Sequence, residues 1–166
     1  MTSATVRAAV DHDAPAWLRL RRLLWPACPV ERHHLEMAQF RRHPGVLAVA
    51  ETPEKSLVGF AEVSLRHEHV VGTTATPVPY LEGWFVEERS RGRGVGRKLL
   101  EFAEQWALAQ GYRELASDAE LECSGSIAAH AALGFTEVER SVHFVKRLPH
   151  HAGGDPAGTG GLATQR

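Results

Sequence analysis

Net charge is what this chain most lacks. Lysine and arginine number 19 and the acidic residues 20, which leaves −1 over 166 residues. Without an excess of positive charge there is no general electrostatic attraction to nucleic acid or to an anionic membrane, and neither is expected as a partner. Cysteine is nearly as scarce: Cys28 and Cys123 stand far apart, which argues for a reduced compartment and against a disulfide framework. No apolar run reaches membrane-spanning length. The opening Met1-Thr2-Ser3-Ala4-Thr5-Val6-Arg7 has no apolar segment of the secretory kind. The location expected is therefore the cytoplasm. Histidine pairs such as His33-His34 and His150-His151 lack cysteine or carboxylate partners at ligand spacing, so no metal is expected. Familiar phosphate loops are missing as well. No Gly-Lys-Ser/Thr follows the glycine-rich run, and Gly92-x-Gly94-x-Gly96 is too short for a dinucleotide fingerprint.

What is present suits one globular domain: 43% of the residues are hydrophobic and 23% charged. The pattern predicts a first strand over 4–10, then a helix with Pro15 in its first turn and an apolar stripe of Trp17, Leu20 and Leu24. Arg19, Arg21 and Arg22 are expected mostly outside that stripe. Pro26 stops the helix after Trp25. A second, polar helix is expected over 30–43, strands over 46–52, 57–70 and 80–86, and a loop over 72–79. A third helix follows over 94–110, then a strand over 113–119, a short helix over 124–133 and strand-like sequence over 135–148. From Pro149 the chain turns glycine-rich with almost no apolar residue, so 149–166 is expected to be a disordered tail on a 1–148 domain. The order describes a mixed α/β chain, with antiparallel strands before the glycine turn and a strand-helix-strand unit after it.

The chain is organised around Tyr80-Leu81-Glu82-Gly83-Trp84-Phe85-Val86 and the run that follows, Arg89 to Arg97. Strand, glycine-arginine turn and helix start come in that order. Glycines let another group approach the backbone, and the first amides of a helix have no partner inside it. Such a start binds phosphate or pyrophosphate through bare amides and the positive end of the dipole. An ordinary basic turn is the competing reading of the turn taken alone. Glu82 also reads two ways: a structural glutamate paired with arginine, or a cleft-facing base or amine binder. A carboxylate within an apolar strand must be paired or wet. Strict alternation groups Tyr80, Glu82, Trp84 and Val86 on one face, while Gly83 signals a bulge or a close backbone approach. Trp25 is either a core-edge aromatic or one wall of a cleft.

Arg91-Gly92-Arg93-Gly94-Val95-Gly96, with the element order, is similar to the acetyl-CoA pyrophosphate loop of the GCN5-related N-acetyltransferases (GNAT), a superfamily with a mixed central sheet and flanking helices. Within it the chain resembles the chromosomal aminoglycoside 6′-N-acetyltransferases. The likeness is carried by Leu23-Leu24-Trp25-Pro26, Ser64-Leu65-Arg66-His67, Leu81 to Val86, Ala116-Ser117-Asp118 and His130-Ala131-Ala132-Leu133-Gly134-Phe135. The resemblance implies acetyl-CoA held along Trp84, Phe85 and Val86 and by Arg91, Gly92, Arg93, Gly94, Val95, Gly96 and Arg97. It implies a polycationic acceptor met by Glu82, Asp118 and Glu139, with Trp25 and His69 as wall residues. Glu82 and Asp118 are the candidates to take the ammonium proton. Where many members carry a tyrosine that protonates the thiolate, this chain has His130, which reads equally as a general acid or as a satisfied helix histidine. Cys123 stands where relatives often carry an asparagine. A homodimer built partly through the C-terminal strands is implied as well. Another small amine, a polyamine or a protein N-terminus is the competing acceptor; a non-catalytic acyl-CoA sensor is the third reading.

Overall fold

A computed structural model describes residues 4–147. The elements run β1 (Thr5–Ala8), α1 (Ala14–Leu24), α2 (Val30–Phe40), β2 (Gly45–Glu51), β3 (Leu57–Arg66), β4 (Val78–Val86), α3 (Val95–Ala109), β5 (Ala116–Ser117) and α4 (Ser124–Ala132). The strands form one sheet in the order β1-β2-β3-β4-β5, antiparallel throughout except for the parallel β4–β5 pair. No helix among the described residues is long and apolar enough to cross a membrane.

Each face of the sheet carries its own core. On one face α3 packs Val95, Leu99, Leu100 and Ala103 against Ala48, Ala61, Val63 and Leu81. On the other, α1 brings Trp17 and Leu20 against Val49 and Phe60, with Met37 of α2. Burying side chains of this size is worth about 1.5–3 kcal/mol each. The stripe on α1 is wider than the apolar pattern suggests, because Arg21 is buried with it. It lies four residues from Trp17, on the same helix face.

Glu82 is where β4 departs from alternation. Glu62 of β3 pairs with Gly83 and Val63 with Leu81, so Glu82 is an extra residue on its strand. This bulge separates residues that strict alternation groups together. Trp84 and Val86 turn to the α3 core, while Glu82 stays on the α1 side and hydrogen-bonds Ser64.

The C-terminal third forms less sheet than its sequence suggests. The strand expected over 113–119 shrinks to Ala116–Ser117, and residues 135–147 form no regular element. A strand persists only where its amides and carbonyls find a ladder partner. Here β5 pairs with β4 over a single pair of residue couples, Tyr80 with Ala116 and Leu81 with Ser117. Val142, Phe144 and Val145 of the following segment stand exposed, at 68%, 93% and 92%. The expected tail over 149–166 and the last residue of the expected domain lie outside the described residues.

Candidate active site

The α1–α2 turn and the far ends of β3 and β4 enclose a cleft of about 1110 Å³. Trp25 walls it. Its indole is held by three neighbours: the Arg21 guanidinium 4.6 Å from the ring centroid, Phe60 at 6.4 Å and His33 at 6.5 Å. Carboxylates outnumber guanidiniums in the lining, five (Glu36, Glu62, Glu68, Glu82, Glu120) against three (Arg21, Arg32, Arg66). The balance favours a cationic occupant.

Below the cleft sits a buried ion pair. Glu62 accepts Arg21 Nη1 on both oxygens, at 2.7 and 2.5 Å, and Trp17 Nε1 on Oε1 at 2.5 Å. Burial pushes this carboxyl upward, and the Arg21 charge and the hydrogen bonds oppose that shift. Arg21 Nη2 continues to Glu36 at 2.5 Å, and its Nε points to His33 Nδ1 at 3.4 Å. Cys28, His33 and Glu36 do bring one donor atom each within 4.8 Å of one another. Yet Glu36 is already held by Arg21 and Arg32, so the place of a cation is taken by guanidinium.

Glu82 is paired and still half-exposed. Ser64 Oγ donates to it at 2.6 Å, and Arg66 binds it through Nε at 3.0 Å and Nη2 at 2.7 Å. Glu82 is therefore tied to arginine and also lines the cleft. Tyr80, on the same strand, is pushed well above the usual phenol range by burial and by the negative charge of Asp118.

On the other side of β4 the glycine turn opens α3. Gly94 is the residue before the helix, left-handed at φ 77°, and no side chain caps the turn. Gly92 is also left-handed, at φ 69°, and nothing lies within 4 Å of where a Cβ would stand on either glycine. The turn is thus open beside both glycines, and the first amides of α3 have neither an intrahelical partner nor a side-chain cap, with the positive end of the helix dipole behind them. Gly96 is there for packing: a Cβ on it would stand 2.8 Å from Trp84. Arg91 is partly spent on structure, since its Nε donates to the Val86 carbonyl at 2.8 Å. Past the short β5 contact, residues 83–86 of β4 have no strand partner on that side among the described residues. An unpaired backbone edge thus runs beside a bare helix start, the geometry of an anion site with an adjoining slot for an extended chain.

The acetyltransferase (GNAT) family matches residues 17–135. The chain is 43% identical over 150 residues to an aminoglycoside N(6')-acetyltransferase type 1 of Stenotrophomonas maltophilia, covering 89% of this chain and 95% of that protein. It is 42% identical to one from Serratia marcescens, over 83% and 96%. The fold superposes with a TM-score of 0.80 on AAC(6')-Iy in complex with the bisubstrate analogue CoA-S-monomethyl-acetylneamine. That chain is 34% identical, with 87% of this chain and 99% of that one covered. This chain belongs to the GNAT family.

The GNAT elements bring some expected residues together and leave others apart. Trp25 and Glu82 line the acidic cleft. Asp118, His130 and Glu139 line a second cavity beside it, and Glu120 belongs to both. His69 is exposed and outside the cleft lining, where His67 and Glu68 are found instead. The side chains of Trp84, Phe85 and Val86 pack into the two cores, so what they offer a ligand is backbone. His130 has both nitrogens engaged. Nδ1 faces the Ser126 carbonyl at 2.8 Å and therefore carries a proton, since a carbonyl only accepts. Nε2 meets Ser117 Oγ at 3.0 Å, and Ser117 reaches the Leu81 carbonyl at 3.2 Å. Trp84 and Phe135 box the ring edge-on, at 5.8 and 5.1 Å. Arg21, Glu62, Ser64, Arg66 and Tyr80 escaped the sequence reading. The signal for two of them was there: Glu62 is a lone carboxylate in the apolar run of β3, and Arg21 falls in register with Trp17.

Proposed function

We propose that this GNAT chain transfers the acetyl group of acetyl-CoA to the 6′-amino group of an aminoglycoside. One observation carries the reading: an acidic, tryptophan-walled cleft and a bare helix start flank the same strand, β4. The amides at Gly94, Val95 and Gly96, with Arg93 and Arg97, would hold the pyrophosphate. The free edge of residues 83–86 would take the extended arm. This lays the thioester along β4, next to the end where Glu82 meets the acceptor.

The acceptor arrives as an ammonium and must react as an amine. Glu82 or Asp118, directly or through water, takes one N–H proton. The nitrogen lone pair then forms the new C–N bond at the thioester carbonyl. A backbone N–H of residues 84–86 steadies the oxygen as it becomes negative. Collapse breaks the C–S bond as the new amide nitrogen gives up its second excess proton to water, and it releases the CoA thiolate, which takes a proton from His130 or from water. Ser117 lies between the His130 ring and β4, so a proton from His130 would leave through that hydroxyl. Trp25 would stack on a sugar face.

A second copy of the chain is the proposed cover for Val142, Phe144 and Val145, whose exposure leaves apolar surface on water. The short β5 offers it an edge. A homodimer joined through residues 135–147 follows, and light scattering on the purified chain tests it: a monomeric mass would refute it. The cytoplasm, where acetyl-CoA is made and both cysteines can stay free, is the proposed compartment.

The deciding assay is thiol release from acetyl-CoA with kanamycin or tobramycin, beside a 6′-hydroxyl aminoglycoside, spermidine and a short peptide. Turnover confined to the 6′-amino drugs supports the assignment. Turnover with spermidine or peptide alone overturns the acceptor while keeping the acetyl donor.

A further inference from the structure

Resting on the acceptor reading above, the surroundings of Glu82 say how that carboxylate can act. A carboxylate offers about four lone-pair sites. Three are filled: Oε1 accepts from Ser64 Oγ and Arg66 Nε, and Oε2 accepts from Arg66 Nη2. One site is left. Arg66 in turn is fixed from below, with its guanidinium centre 3.3 Å from the centroid of the Tyr80 ring. Burial, together with the Asp118 carboxylate just past the end of β5, pushes the Tyr80 phenol upward. Glu82, Arg66 and the Tyr80 ring are therefore in direct contact, and the phenol lies within the electrostatic reach of Asp118, which lines the neighbouring cavity.

A loose counter-ion, waiting to be pushed out by an incoming ammonium, would not be built this way. A two-point guanidinium–carboxylate contact fixes direction as well as charge, and its bonds are roughly twice as strong as neutral ones. The ring beneath holds the guanidinium plane in place. Arg66 and Glu82 both keep about a third of their side chains exposed, at 33% and 30%. The pair is thus reachable by a ligand without being dismantled.

We propose that Arg66 and Tyr80 are positioning residues for the acetyl acceptor. Together they hold Glu82 and Asp118 in one fixed relation, so the acceptor meets oriented lone pairs rather than free charge. Glu82 then receives a single acceptor N–H at its one open site. Lysine cannot replace Arg66 in this role, because an ammonium has neither the planar fork nor the stacking face.

The test uses the full chain with R66K, Y80F, E82Q and R66K/E82Q, measuring tobramycin affinity by calorimetry and steady-state rates with tobramycin and acetyl-CoA. R66K should lower kcat/KM for tobramycin about tenfold to a hundredfold, the worth of a charge-assisted contact, with the KM for acetyl-CoA unmoved. Because Arg66 acts through Glu82, R66K should cost little further tobramycin affinity once E82Q is present. Y80F, which removes one oxygen, should raise the tobramycin KM and spare acetyl-CoA; it also keeps the proposal open to refutation should R66K fail to fold. Wild-type tobramycin kinetics in both R66K and Y80F would overturn the proposal. So would fully additive losses in R66K/E82Q, or equal losses for both substrates. A wild-type chain silent with every aminoglycoside would instead remove the acceptor reading, and this inference with it.

Discussion

Gly83 gives up its side-chain space to Trp25: a Cβ built on that glycine would stand 2.5 Å from Trp25 Cη2. The cleft wall therefore leans on the backbone of the strand that carries Glu82. G83A should push the indole off its seat and out of its stack on Arg21, at about 1–3 kcal/mol of overpacking. Urea unfolding checks the stability loss. The KM for tobramycin should rise in the same variant, while unchanged acceptor kinetics would show that Trp25 is only core.

Neutralising the two carboxylates proposed to meet the acceptor is the next expectation. E82Q and D118N keep size and remove charge, so each should weaken tobramycin turnover about tenfold to a hundredfold. Acetyl-CoA binding, followed by calorimetry, should stay nearly intact in both. Full activity in both would overturn the assignment of these carboxylates.

The reverse pattern is expected at the helix start. G94D places a negative charge beside the bare amides, and repulsion on the order of 1–4 kcal/mol at about 4 Å is enough to cost about fivefold or more in acetyl-CoA affinity. Aspartate is also a good residue to precede a helix, which offsets part of the strain at φ 77°. Unchanged cofactor affinity in a folded G94D would contradict the pyrophosphate site.

Mild acid should loosen the fold through His33. This buried ring is held below its ordinary value of 6.5, first by desolvation and then by the Arg21 charge. The folded chain therefore binds fewer protons here than the unfolded chain does. Its contribution is whole above pH 6.5 and is lost as pH falls below that, by at most about 1.4 kcal/mol per pH unit. H33Q keeps an acceptor for Arg21 Nε and removes the titration, so its stability should fall less between pH 6.5 and the carboxylate range. Equal slopes in thermal melts of both proteins would refute this.

Local signals were enough for most of the fold. Pro26 ends α1, Gly94 starts α3, and apolar runs mark β2 to β4. The bulge at Glu82 was announced by Gly83, although alternation then misassigned the faces of Trp84 and Val86. What stayed hidden depends on contacts between distant residues. Arg21 looked like a solvated helix charge because its partner Glu62 lies 41 residues away, and Arg66 and Tyr80 became visible only once β3 and β4 were side by side. The strand expected after α4 carried a sound apolar pattern, yet pattern alone supplies no ladder partner.

The tryptophans have a spectroscopic consequence. There are four, and they divide the molecule. Trp17 is sealed in the core, Trp106 packs along α3, Trp84 lies beneath the glycine turn, and Trp25 fronts the acidic cleft. An indole pressed against a guanidinium on one side and open to a ligand on the other will change emission when that ligand arrives. The chain thus carries its own optical gauge of each proposed binding event, with Trp25 placed to report the acceptor and Trp84 the cofactor, and single Trp-to-Phe variants can tell them apart without any added dye.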